Sequence, residues 1–359
     1  MRLPDHGANP QHLFKALNLE QPREIIDFSV NVNPYGMPKS IEQQWPQLLT
    51  FVQDYPDPQS SRLKEQLAKK ESIDEEQILI GNGAAELIFL LANVFREQPI
   101  LIVDPTFSEY RTACLAHGCH MQTIVVQAEN DWQLTIEDVE RHLDGKSALF
   151  ICHPNNPTGV RYEKETLLAI IEAAYARNVV VIIDEAFYDF CLEPFTLVPY
   201  VKTYPNLVVL RSFTKMFAIA GIRLGWLASH PTLVSEMAKL KPHWSVNALA
   251  EQIGLLCLNE DAFVEQTALK IATERKRMTN ALDELGFVVS KSDTNFYVLR
   301  ERTHATMQPL LYFLMNEGIT ARHTENFIGM NGQFLRFAIR TEAKNDRLLT
   351  ALKRWRTLC

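Results

Sequence analysis

Residues 179–187 read Val-Val-Val-Ile-Ile-Asp-Glu-Ala-Phe. Five consecutive apolar, β-branched side chains leave no polar face, so a strand built from them is covered on both sides. The same texture recurs on either side. Ile78–Ile80, Pro99–Val103, Met121–Val126, Ala148–Cys152, Leu207–Leu210 and Ile222–Leu227 are short apolar runs. Helix-like stretches at Ala84–Phe95, Phe107–His117 and Lys164–Arg177 lie between them. Strands alternating with helices make a largely parallel sheet with helices on both faces. The sequence therefore predicts an α/β fold whose large, doubly wound, mostly parallel-sheet domain covers residues 41–242. Beyond it the pattern changes. Ala248–Leu258, Asp261–Leu285 and Ala343–Trp355 read as helices, and Phe296–Leu299, Ile319–Arg322 and Phe334–Ile339 as strands. This predicts a small α+β C-terminal domain over 243–359. Residues 1–40, rich in Asn and Pro, read as an N-terminal arm rather than a packed element.

A chain of 359 residues, 47% hydrophobic, has enough material for a sizeable core without staples. Its formal net charge is −7 and it holds no basic tract, which argues against a nucleic-acid partner. The six cysteines (Cys114, Cys119, Cys152, Cys191, Cys257 and Cys359) form no C-x-x-C pair and no zinc spacing, so no metal site is expected. Cys114, Cys152 and Cys257 sit in apolar surroundings and read as buried free thiols. The first residues lack the apolar run of a signal peptide, and no stretch of 18 apolar residues occurs. A reduced, cytoplasmic, membrane-free setting is expected.

Four short motifs fall at strand ends. Ser212-Phe213-Thr214-Lys215 places an amine just past a buried strand, and Gly221-Ile222-Arg223-Leu224-Gly225 follows. Lysine forms imines with carbonyls. Ser212 and Arg223 suit a phosphate, one as hydroxyl donor and the other as a bidentate cation. A lone lysine is more often a solvated charge; this one has unusual company. Gly81-Asn82-Gly83-Ala84-Ala85-Glu86 follows a strand and opens a helix, leaving backbone N–H groups free for an anion. Such turns also occur without any ligand, and this one is neither nucleotide-binding glycine pattern. Asp184 ends an apolar strand, where a carboxylate needs a partner. A protonated pyridine nitrogen and an ordinary cap or loop role fit it equally. His153-Pro154-Asn155-Asn156-Pro157-Thr158-Gly159 carries strong turn signals, and Asn156 is placed to donate to a phenolic oxygen. In an open α/β sheet these strand ends share one crevice. A ligand with a phosphate, a pyridinium, a phenolate and an aldehyde would satisfy all of them, and pyridoxal phosphate has all four.

The order G-x-G-x-x-E, P-N-N-P-T-G, D-E-A, S-x-T-K and G-x-R-x-G resembles the class I/II aminotransferases of fold type I, across nearly the whole chain. The resemblance implies the aspartate aminotransferase-like fold and pyridoxal 5'-phosphate as cofactor. It implies Lys215 as the catalytic residue and the Schiff-base amine. Asp184 would lie at the pyridine nitrogen, Asn156 at the phenolic oxygen, and Gly83, Ala84, Ala85, Ser212 and Arg223 around the phosphate. Phe107 matches the aromatic stacked on the ring. Tyr55, in Asp54-Tyr55-Pro56, matches a tyrosine that reaches the neighbouring subunit's phosphate, which implies a homodimer with shared sites. Phe187 departs from the tyrosine that many members carry after D-E-A and cannot donate to the phenolic oxygen.

Two branches of the family compete. His6-Gly7-Ala8-Asn9, Asp27-Phe28-Ser29-Val30-Asn31-Val32-Asn33-Pro34, Trp244-Ser245-Val246-Asn247-Ala248-Leu249-Ala250 and Arg336-Phe337-Ala338-Ile339-Arg340 resemble the threonine-phosphate decarboxylases of the cobalamin nucleotide-loop pathway. Histidinol-phosphate aminotransferases share the chain length and the general pattern. Either implies a small phosphorylated substrate. His6, Asn31, Asn156, Arg322, Arg336 and Arg340 are its candidate contacts. Arg336 and Arg340 stand four apart, which on a strand places both on one face. A non-catalytic ligand-binding domain of a regulator would bring a basic DNA-binding segment, and the first 40 residues show none.

Overall fold

The computed structural model describes residues 3–358; Met1, Arg2 and Cys359 lie outside them. A seven-stranded sheet runs in the order Ile78–Gly81, Gly225–Ser229, Leu207–Ser212, Val180–Asp184, Ala148–Cys152, Pro99–Asp104 and His120–Val125. All its pairings are parallel except those of Gly225–Ser229, which is antiparallel to both neighbours. The central strands are buried along nearly their whole length, as their unbroken apolar runs require. Helices Gly83–Val94 and Ser108–Ala116 cover one face, and Lys164–Tyr175 the other.

The strand expected at Ile222–Leu227 begins only at Gly225. Arg223 has φ +64°, which no strand tolerates, so Arg223 belongs to the preceding turn. The need for glycine at 225 is steric: a Cβ there would lie 2.6 Å from the Ala84 backbone nitrogen.

A four-stranded antiparallel sheet follows, in the order Arg322–His323, Leu335–Ala338, Phe296–Arg300 and Val288–Val289. It is flanked by the 24-residue helix Asp261–Glu284 and by Glu342–Leu358. The single strand expected at Ile319–Arg322 is split: Ile319–Thr320 leaves this sheet and pairs in parallel with Ile26–Asp27.

That pairing overturns the reading of the N-terminal residues as an unpacked arm. Pro10–Ala16 is a helix that buries Leu13 and Phe14. Phe28 donates to Thr320 O at 2.8 Å and accepts from the Ala338 N–H at 2.9 Å. Asn33 then reaches the other sheet, its N–H bonding Lys215 O at 2.9 Å and its Nδ2 bonding Met216 O at 2.8 Å. The segment is thus a strap between the small sheet and the turn that carries Lys215. Its own composition hides this, because its partners are distant in sequence.

Candidate active site

The carboxyl ends of the parallel strands open on a cleft of about 230 Å³. Ser212, Asp184 and Cys152 arrive at it as the last residues of three adjacent strands. Lys215 follows its strand by three residues, and Ala84 and Ala85 form the first turn of the helix opening at Gly83. From the small sheet come Arg322 and Arg336; from the N-terminal segment, His6, Ser29 and Asn31. Phe107, Asn156 and Arg223 complete the set of sequence candidates that the fold gathers here.

At one end the site is built for an anion. The Arg223 guanidinium lies over the helix start so closely that a Cβ on Gly83 would come within 2.5 Å of its Nη2. Gly83 also has φ +74°, so glycine is needed for both reasons. A helix N-terminus, an arginine and the Ser212 hydroxyl converge there, as phosphate binding demands. The Ser212 Oγ lies 2.8 Å from Thr214 Oγ1, a second cleft hydroxyl.

In the centre Lys215 faces Asp184 and Phe187. Its Nζ lies 5.9 Å from the centroid of the Phe187 ring, which itself packs edge-on against Phe296 at 4.8 Å. Burial, then the nearby positive charges of Arg336 and Arg223, lower the Lys215 ammonium to about 8. An amine so tuned is far more available as a nucleophile than a solvated lysine. Asp184 is 4% exposed; burial pushes its carboxyl up, while the donors Tyr110 and Ala186 pull it back.

At the far end Asn156 Oδ1 accepts from Arg336 Nη1 at 2.6 Å, so the Nδ2 end of the amide is the one left to donate. The second Arg336 arm donates to Ser29 O at 2.7 Å, and its buried Nε has no hydrogen-bond partner among the described residues. Burial and the positive charge of Arg322 lower Arg336 to about 9. Arg322, buried as well, donates to the carbonyls of Asp5 and His323 and to Asn326 Oδ1. These bonds pin residues 4–8 across the mouth, where Ala8 holds φ +77° and His6 Nε2 meets Glu109 Oε1 at 3.0 Å.

Two candidates do not join the cleft. The strand holding Arg336 ends at Ala338, so Arg340 does not share its face. Arg340 instead donates to Val30 O at 3.4 Å, and its N–H to Asn345 Oδ1 at 3.1 Å. The partner that Arg336 does receive is Arg322, directly opposite in the antiparallel register. Tyr55 is 83% exposed and its ring lies tilted against Trp244 at 5.1 Å, away from this chain's own cleft. Sequence reasoning missed Tyr110, Phe327 and Ser29. No local pattern marks them, since each meets the site only through folding.

All five described cysteines are buried and free, including Cys119 and Cys191, for which no burial was anticipated. Among the described residues no cluster of potential metal ligands occurs, and no helix is long and apolar enough to cross a membrane. A larger cavity of about 420 Å³ lies beside Arg211, whose guanidinium is taken up by Glu185 and Asp189.

Residues 23–352 match the family model for aminotransferase class I and II. Threonine-phosphate decarboxylase of Salmonella typhimurium strain LT2 is 35% identical, over 97% of this chain and 95% of that protein. Among solved structures, histidinol-phosphate aminotransferase from Clostridium acetobutylicum is 31% identical with a TM-score of 0.88, covering 93% of this chain and 100% of that one. L-threonine-O-3-phosphate decarboxylase from Porphyromonas gingivalis is 26% identical with a TM-score of 0.84, covering 92% and 99%.

Proposed function

The chain belongs to the class I and II aminotransferase family, a pyridoxal-phosphate-dependent family with the aspartate aminotransferase-like fold, and we propose that it decarboxylates an O-phosphorylated amino acid, threonine phosphate, to aminopropanol phosphate. One observation carries the reading. Arg322 and Arg336 stand opposite each other on neighbouring strands, both buried, and both line the cleft that holds Lys215. Like charges so placed repel. Their hydrogen-bond partners are carbonyls, amides and an imidazole; Asp5 acts on Arg322 and Asp27 on Arg336 through space, and burial outweighs both. A substrate with both a carboxylate and a phosphate supplies an anion for each.

The cofactor fits the residues present. Arg223 over Gly83, with Ala84, Ala85 and Ser212, would hold its phosphate; Asp184 would meet its ring nitrogen, Asn156 Nδ2 its phenolic oxygen, and Phe107 its ring face. When bound it supplies an aldehyde for the substrate amine and a cationic ring that accepts the electron pair of the broken bond. Arg322 and Arg336 would grip the substrate's two anions and so fix the orientation that decides whether the carboxylate or the hydrogen is lost. The Lys215 ammonium, lowered to about 8, would supply the proton that replaces the lost carboxylate. His6 and its neighbours Asp5, Gly7 and Ala8 across the mouth would exclude water.

Arrangement as a homodimer with shared sites is part of this proposal. Tyr55 is exposed beside Leu49, Phe51 and Val52, also exposed, and would contact the phosphate in a second copy.

A second reading, histidinol-phosphate aminotransferase, is favoured by the TM-score of 0.88 to that enzyme. Histidinol phosphate carries no carboxylate, so it gives only one of the two arginines a partner. The assay is direct. With O-phosphothreonine and no keto-acid acceptor, the enzyme is expected to release carbon dioxide. No release, together with glutamate formation from histidinol phosphate and 2-oxoglutarate, replaces the first reading with the second. Phosphoserine, one methyl smaller, is expected to react more slowly by the ~1–3 kcal/mol that a methyl group is worth.

A further inference from the structure

Tyr110 lies three residues beyond Phe107, on the helix Ser108–Ala116, and none of its surface is exposed. Its ring stacks on Phe150 at 5.3 Å and meets Phe107 edge-on at 5.9 Å. A phenylalanine would pack as well. The hydroxyl is what needs a reason, since a buried phenol without a partner is destabilising. It donates to Asp184 Oδ2 at 2.6 Å, while Oδ1 accepts from the Ala186 N–H at 3.0 Å. The carboxylate is thus held from two sides, and among the described residues the phenol is the only side chain hydrogen-bonded to it.

We propose that Tyr110 is a positioning residue for catalysis: its hydroxyl fixes the rotation of the Asp184 carboxylate and keeps it the anion that holds the cofactor's ring nitrogen protonated. The proposal rests on reading Asp184 as the partner of that nitrogen. A ring nitrogen and a carboxylate in contact share one proton. Burial makes Asp184 a stronger base, which draws the proton away from the ring; the Tyr110 donor opposes that. The phenol is itself held well above its ordinary pKa by burial and by Asp184, so it stays a donor at any working pH. Without it the proton shifts toward the carboxylate, and a neutral ring is a poorer electron sink. Tyr110 therefore acts on the reacting carbon without touching it.

The test uses holoenzyme loaded with nitrogen-15-labelled pyridoxal phosphate, because the ring-nitrogen NMR shift separates pyridinium from pyridine. Tyr110→Phe keeps the stack and removes the hydroxyl. Wild type is expected to show pyridinium. The variant is expected to move toward pyridine, to bind the cofactor on the order of tenfold more weakly, as for one hydrogen bond to a charged group, and to lose kcat with KM little changed. Phe150→Leu weakens the stack and keeps the hydroxyl; it is expected to lower Tm and leave the nitrogen shift alone. If Tyr110→Phe lowers only Tm, with shift and cofactor affinity as in wild type, Tyr110 merely packs and the proposal fails. A neutral pyridine in wild type instead removes Asp184 as the nitrogen's partner, and the underlying reading fails first.

Discussion

Arg336, on the small sheet, donates to Asn156, at the edge of the large one, through Nη1 and Oδ1 at 2.6 Å. The two residues are 180 positions apart. This bond orients the amide and ties a cleft-lining arginine of the small sheet to a turn of the large domain. Arg336→Gln is expected to raise KM for phosphothreonine by roughly 30-fold or more, the scale of ~2–5 kcal/mol for a buried charged hydrogen bond. Combined with Asn156→Ser, the losses should be less than additive in steady-state kinetics, since each change already breaks the shared contact. Full additivity would show that the two act independently.

Lys215 sets a pH dependence whose sign follows from its direction of shift. Its folded value is about 8, and a free lysine titrates near ~10.4. Between those values the unfolded chain holds a proton that the folded apoenzyme lacks, so apoenzyme stability rises with pH across this window. Lys215→Met removes the penalty. Apo Lys215→Met is expected to be more stable than apo wild type below pH 8, by up to about 3 kcal/mol. The difference should shrink through the window and vanish only above about pH 10.4, the unfolded value. Denaturant unfolding of both apoproteins at several pH values measures it.

Gly83→Ala places a methyl group where the Arg223 guanidinium lies, at a backbone angle that L side chains rarely adopt. The helix behind it should still form. Cofactor affinity is expected to fall at least tenfold, about 1.4 kcal/mol, as read by titrating apoenzyme and following visible absorbance. Unchanged affinity would move the phosphate away from this helix start.

Tyr55→Phe and Lys215→Ala offer a test of shared sites. Each alone is expected to be impaired, the second completely and without visible absorbance. Subunits mixed and re-paired should regain activity, because a hybrid dimer joins an intact Lys215 to an intact Tyr55 from the other chain. No recovery on mixing, with hybrids verified by mass, would confine Tyr55 to its own subunit.

What the amino-acid sequence determined by itself was whatever is written locally. Val180–Asp184 and Ala148–Cys152 are buried on both faces, so their apolar runs announce a covered parallel sheet without help from other residues. The motifs around Gly83, Asn156, Asp184 and Lys215 were legible because parallel strands end on one side, and strand ends can be counted along a chain. Tertiary structure decided the rest. Tyr110 meets Asp184 from 74 residues away with no periodic signal. Residues 26–33 turn from an arm into a strap because their hydrogen-bond partners lie near Lys215 and Thr320. Arg322, not Arg340, faces Arg336 because the strand stops at Ala338 and antiparallel register chooses the opposite residue. Periodicity reports which way a side chain leaves its own backbone; which second backbone meets it is settled only when the sheets pack.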